Sequence, residues 1–435
     1  VEEVRLARGT RDLLPEQASR RNAVLALLRE VFARHGFDPL ETPAFERIET
    51  LTGKYGEEGQ KLIFRILKRG EGGEKGESDL ALRYDLTVPL ARVVAMNPGL
   101  RMPFKRWQIA PVWRADRPAK GRFREFWQCD CDIVGSTEIL ADAECIAVAA
   151  DAMTTIGFPA FTVRINDRRL LRATARAAGV APEREQALLV VVDKLDKIGR
   201  DGVDAELAEK GIGATSRLWD ILSLSGSPSE VLDGLRRELP DEDAALRDLA
   251  ELVRLAAALG VPEASMNIDP TLARGLDYYT GPVFEFAADE AGVGSLAGGG
   301  RYDGLIGVFG KQQVPAVGIA LGLERILTVL EDLGRLPAAT DRPTVLVGVY
   351  DADHRSHAAA VARALREAGV RTDLYAGGGK LKAQFKHADA LGVRFVVIVG
   401  PGEVAAGTVA LKALETGEQL QLPLDEVVRR VAGAR

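Results

Sequence analysis

The chain has 435 residues, 46% of them hydrophobic and 28% charged, with a formal net charge of −6. That length predicts two or three folding units with a sizeable core. The composition is that of a globular protein, and no apolar run approaches the ~20 residues of a membrane span. The start, Val1-Glu-Glu-Val-Arg5, offers no apolar signal region, and the three cysteines suit a reducing cytosol, so a cytoplasmic protein is expected. Cys129, Cys131 and Cys145 lack the spacing of a disulfide framework, and the four histidines lie far from them, so no metal site is expected.

Along the chain, Pro15 to His35 predicts a helix with Val24, Leu25, Leu27, Leu28, Val31 and Phe32 on a broad apolar face, Pro15 in its first turn and Gly36 as its stop. A glycine- and charge-rich loop from Arg69 to Asp79 leads into a strand near Leu80 and a helix near Val88 to Asn97. Two strands follow. In Phe104 to Arg114, period-two alternation puts Arg106, Gln108 and Arg114 on one face; in Phe126 to Val134 it puts Gln128, Asp130 and Asp132 on the matching face. Arg117, Lys120, Arg122 and Arg124 crowd the loop between them. Either this is a hairpin with one solvated face, or its acids and amide line a site for a small cationic or polar ligand.

From Asp167 to about Gly260 the sequence is ordinary amphipathic helix and reads as an inserted module. A strand near Ser265 to Ile268 then leads to Arg274-Gly-Leu-Asp-Tyr-Tyr-Thr-Gly281 and Gly298-Gly-Gly-Arg-Tyr-Asp-Gly304. Here Tyr278, Tyr279 and Tyr302 offer flat faces with hydroxyl handles, Arg274 and Arg301 donor forks for anions, and the glycines a close backbone approach; the other reading is a surface hairpin with a glycine-rich loop. Val317 to Leu330 passes from strand into helix, Leu336 to Pro343 reads as a linker, and strands at 345–349, 372–375 and 395–399 alternate with two helices in a small α/β domain. Gly377-Gly-Gly-Lys380 lacks the spacing of a phosphate loop. No histidine occurs between His35 and His354, so the chemistry of that span has to rest on stabilising charge more than on a histidine base.

These segments, in this order, resemble the class II aminoacyl-tRNA synthetases, and most closely the histidyl-tRNA synthetase family. Arg274 to Gly281 and Gly299 to Gly304 look like its two histidine signatures. The stretch from Arg114 through Arg122 to Gln128 resembles motif 2, Gly322-Leu-Glu-Arg325 motif 3, and the helix from Pro15 motif 1, which in the family forms a dimer interface. The resemblance implies an α+β catalytic domain with a mainly antiparallel sheet (residues 1–166 and 261–335), a helical insertion (167–260), a linker (336–343) and a C-terminal α/β anticodon-binding domain (344–435). It implies a homodimer that joins L-histidine to tRNA(His) through an adenylate, with ATP as substrate and Mg2+ accompanying it.

Carried over residue by residue, Arg114 and Arg325 would grip the ATP phosphates, Arg122 would reach the triphosphate and Phe126 would pack on the adenine. Asp85, Leu86 and Thr87 would meet the amino end of histidine, and Gln128, Asp132, Tyr278, Tyr279 and Tyr302 would line its pocket. Arg274 and Arg114 would act at the reacting carboxylate and phosphate. Asp85 and Asp132 stand where the well-known bacterial pattern has glutamates. The alternative that the resemblance leaves is a non-catalytic regulatory paralogue serving ATP phosphoribosyltransferase, a protein that typically lacks the last domain. A dinucleotide-binding oxidoreductase would need a G-x-G-x-x-G turn that this sequence does not supply.

Overall fold

In the computed structural model, which describes residues 3–213, 216–273, 278–288, 294–310, 312–339, 342–378 and 380–433, the chain forms two compact units. One comprises Val1–Asp12 and Val24–Leu336, the other Leu13–Ala23 and Pro337–Arg435. No described helix is long and apolar enough to cross a membrane.

The first unit is built on a sheet of eight described strands, in the order Asp38–Pro39, Phe104–Trp113, Glu125–Val134, Ala316–Gly322, Ala297–Arg301, Pro282–Ala287, Thr162–Asp167 and Met266–Ile268. The five inner pairings are antiparallel and only the outermost pair at each edge is parallel. This is the mainly antiparallel sheet expected from the sequence. One face carries the main core, where Cys129, Cys131, Val317 and Ile319 meet Ile146, Val148 and Met153 of the helix Ile139–Ile156. Val24, Leu28, Val31 and Phe32 of the helix Pro15–Arg34 are fully buried in that core, and Gly36, at φ +74°, supplies the left-handed turn that ends the helix.

The helical stretch 167–260 shares this compact unit with the sheet. Its first helices close over a core of their own around Leu171, Val191, Leu207 and Trp219. Pro228–Glu238 and Asp243–Ala258 instead bury Leu235, Leu249 and Leu252 in the main core. Pro228–Glu238 begins with a capping box, Ser227 and Glu230 satisfying each other's backbone N–H.

In the second unit Thr372–Leu374, Val345–Val349 and Phe395–Val399 pair in parallel, as βαβ units do, with the helices Arg355–Glu367 and Leu381–Leu391 in between. The sheet then continues as an antiparallel hairpin, Val409–Ala413 and Gln419–Leu422, before a last helix, Leu424–Gly433. The sequence reading stopped short of this hairpin, because Thr416-Gly417 turns between strands of only five and four residues.

Where the helix Pro15–Arg34 ends, His35 lies between two acids, with Nε2 3.0 Å from Asp151 and Nδ1 3.5 Å from Glu144. Lys105 donates to Glu144 at 2.9 Å and Arg34 to Asp151 at 2.8 Å. The hydrogen bond to Glu144 raises the His35 pKa above its usual 6.5, and His35 with Lys105 holds Glu144 down at about 2, against 4.5 ordinarily. The cluster's contribution to stability is therefore complete between about pH 4.5 and 6.5; it is lost as pH falls toward 2, and lost again as pH rises through the raised histidine value. Urea titrations across pH 4–9 should show wild type exceeding His35→Gln by a margin that shrinks above pH 6.5. A margin that stays constant to pH 9 would mean that His35 contributes packing alone.

Candidate active site

On the face of the sheet opposite the main core, five of the six polar residues predicted to share one strand face are buried: Arg106 is 0% exposed, Asp130 1%, Gln108 2%, Asp132 2% and Gln128 9%, while Arg114 is half-buried. Burial of that many polar groups on two strands decides between the two readings of the hairpin. This face is a lined site.

Two adjoining cavities open there, of about 330 and 200 Å³, and Arg114, Gln128, Ser295, Gly298 and Ala320 line both. Of the predicted histidine-binding residues, Asp85, Thr87, Arg114, Gln128, Asp132, Tyr278, Tyr279 and Tyr302 line the larger cavity. All four predicted nucleotide residues, Arg114, Arg122, Phe126 and Arg325, line the smaller one. Leu86 lines neither; its side chain is fully buried in the core and its carbonyl accepts from Arg106 at 3.2 Å. Arg274 lies outside the described residues.

Asp85 is held at the start of the helix Thr87–Met96, where its Oδ1 accepts from the Val88 N–H at 3.0 Å and from the Tyr55 hydroxyl at 3.1 Å. Its Oδ2 is buried with no hydrogen-bond partner among the described residues, and burial raises its pKa despite those bonds and the nearby Arg114. Asp132 accepts from the Tyr302 hydroxyl at 2.5 Å, and its other oxygen lies 2.8 Å from the Arg106 guanidinium. The strand opposite Asp132 carries Gly318, where a Cβ would fall on the Asp132 carboxylate. Tyr278 stands edge-on to both Tyr279 and Tyr302, with ring centroids 5.2 and 5.7 Å away.

Arg114 is fixed from three sides. Its Nε donates to the Tyr84 carbonyl at 3.0 Å, and its guanidinium lies 4.3 Å from the Tyr84 ring centroid and 5.1 Å from that of Phe126. No described carboxylate lies within ion-pair distance, so its remaining N–H groups face the cavities. Arg325 is steadied by donation to the Ser295 carbonyl at 2.8 Å.

Arg301 corrects the sequence reading. It is 5% exposed, donates to both oxygens of Asp142 and, at 2.8 and 3.2 Å, to the carbonyls of Ser136 and Glu138, and lines neither cavity. It ties the sheet to the start of the helix Ile139–Ile156. The glycines beside it are a buried strand, Ala297–Arg301, and Gly299 sits where a Cβ would strike the Gly318 carbonyl.

Sequence reasoning left out Asp130, Glu285 and Ser295, which line the larger cavity, and Arg106, the cation buried against Asp132. Strand alternation already placed Asp130 on the correct face.

Among known proteins, a family model described as histidyl-tRNA synthetase matches residues 9–326, and one described as an anticodon-binding domain matches 344–433. The chain is 45% identical to a histidine–tRNA ligase of Gloeobacter violaceus, over 98% of this chain and 97% of that protein. It is 44% identical to one of Aeropyrum pernix over the same shares. Its fold is similar to the crystal structure of histidyl-tRNA synthetase from Nostoc sp. PCC 7120, with a TM-score of 0.84, 31% identity and complete coverage of both chains. With the family model spanning most of its length and such relatives covering nearly all of it, the chain belongs to the histidyl-tRNA synthetase family, a branch of the class II aminoacyl-tRNA synthetases.

Proposed function

We propose that the chain joins L-histidine to tRNA(His), first forming histidyl-adenylate from ATP and then passing the histidyl group to the tRNA, with release of pyrophosphate and AMP. The observation that carries this is the pair of adjoining cavities, one lined by acids and phenols, the other by arginines and Phe126, with Arg114 in both.

The first step sets the carboxylate of histidine against the α-phosphorus of ATP. An α-carboxyl with a pKa of roughly 3.3–3.7 is already ionised, so this attack needs no base. The obstacle is the meeting of two anions. Arg114 at the junction, with Arg122 and Arg325 beyond it, opposes that repulsion, each charge-assisted hydrogen bond contributing about 1.5–3 kcal/mol. Arg274 would join them on the resemblance alone. Asp85, with an oxygen that no described residue engages, and Thr87 suit the α-ammonium, while Asp132, Gln128 and the three tyrosines enclose the side chain. Mg2+ enters with the nucleotide as part of the substrate.

Residues 344–435 would hold the anticodon of the tRNA, and the helix Pro15–Arg34 would contribute to a homodimer in the cytoplasm. The regulatory-paralogue reading gives the anticodon-binding match at 344–433 no role. Pyrophosphate exchange with each of the twenty amino acids in turn tests the proposal. Histidine alone should support exchange, by a margin of ~10⁴ over amino acids that lack a ring N–H. No exchange with histidine, or equal exchange with another amino acid, would end it.

A further inference from the structure

The basic loop 114–124 carries Arg122 and Phe123 and leads to Phe126, all in the wall of the smaller cavity, and it is tied to a segment that lines neither cavity, Gly9 to Arg11. The Arg124 N–H donates to the Gly9 carbonyl at 2.8 Å. Gly9 takes φ +84°, and a Cβ there would fall 2.8 Å from Arg124 Cγ and 3.0 Å from Pro118 Cγ. The Arg11 guanidinium lies 4.2 Å from the centroid of the Phe123 ring and 3.7 Å from the Glu324 carboxylate. Glu324, like Phe123, lines the smaller cavity.

We propose that Arg11 is a positioning residue for the nucleotide: with Gly9 it straps the loop 114–124 in place, so that Arg122, Phe123 and Phe126 stand ready before ATP arrives. This rests on the nucleotide reading of the smaller cavity and adds to it a residue outside the cavity's own lining.

A loop that joins two strands is free to move unless something ties it, and a ligand that has to order it binds more weakly. The ties at its tip are slight. Ala119 and Arg122 bridge each other, and Lys120 meets Asp332 at 2.8 Å in an exposed pair of the kind that contributes little. The contacts of Arg11 are of another sort, because a guanidinium over a ring is held by the ring's negative face, and its second partner is itself fixed. Glu324 is 5% exposed and accepts from the Trp127 N–H at 2.8 Å. Arg11 therefore links the loop, through Phe123, to the start of the strand Glu125–Val134 and of the helix Leu323–Asp332, through Glu324. Those are the elements that bring Phe126 and Arg325 to the smaller cavity.

The test is calorimetric titration of the full chain with ATP and Mg2+, with KM for ATP and for histidine measured in pyrophosphate exchange, in wild type, Arg11→Ala, Arg11→Lys and Gly9→Ala, beside thermal melts. Arg11→Ala should weaken ATP by about 3–20-fold in both Kd and KM, while the histidine KM stays within about twofold. Its melting point should change little, since Glu324 keeps the Trp127 N–H. Gly9→Ala should have the same effect by pushing the segment off Arg124, and Arg11→Lys, which keeps the charge and a weaker hold on the ring, should fall between alanine and wild type. ATP binding unchanged in both Arg11→Ala and Gly9→Ala, or equal rises in the two KM values together with a lower melting point, would overturn the strap and leave the proposed function standing. A wild type that binds no ATP would end both.

Discussion

Arg114→Ala should lower the rate of histidine-dependent pyrophosphate exchange by about 10²–10³-fold, as removal of a single preorganised donor to a developing anion does elsewhere. The reason lies in placement. Arg114 lines both cavities, so the anion that passes between them must pass this guanidinium. Its own fixation by the Tyr84 carbonyl and the rings of Tyr84 and Phe126 is settled before any ligand arrives. Arg114→Lys should recover little of the loss, because an ammonium keeps the charge but not the fork or the ring stacking. Single-turnover measurements of adenylate formation, alongside melts showing a folded protein, check both variants. A lysine variant close to wild type would reduce the role of Arg114 to that of a point charge.

Arg301→Ala should instead damage folding, by about 3–5 kcal/mol, since it strands Asp142 as an uncompensated buried charge. Asp142 is 0% exposed, and the two carbonyls that Arg301 also serves, Ser136 and Glu138, lose their donor as well. Denaturant titration should show the midpoint falling, while the histidine KM of the protein that remains folded stays near wild type. The paired change Arg301→Met with Asp142→Leu should recover most of the loss, because well-packed apolar groups replace buried ion pairs at small cost. If Arg301→Ala melted normally but failed to bind histidine, the arginine would belong to the site after all.

These two arginines mark what the sequence does and does not disclose. Both stand in motifs that attract attention, Arg114 after Trp113 and Arg301 between Gly300 and Tyr302, and pattern alone treats them alike. What separates them is the location of carboxylates far along the chain: Asp142 is aimed at Arg301, and no described acid is aimed at Arg114. Alternation along Phe104–Trp113 and Glu125–Val134 identified the polar face correctly but not its burial, which depends on residues distant in sequence such as Tyr302 against Asp132 and Leu86 against Arg106. For the same reason Asp130 was placed on the right face without being singled out, since whether an acid is already engaged depends on Tyr302 and Arg106. Leu86 sits between two cavity residues yet lines neither cavity, because a helix start turns neighbouring side chains in different directions. The long helices and strands were legible because their apolar periodicity is strong; the short C-terminal hairpin was not.

The meeting of Asp132 with Gly318 has a consequence for how such a chain can diverge. The carboxylate occupies the seat that any side chain at 318 would take, so the two positions are free to vary only in concert. A descendant that exchanged the acid for something bulkier, or the glycine for anything at all, would have to rebuild the floor of its binding chamber in a single move.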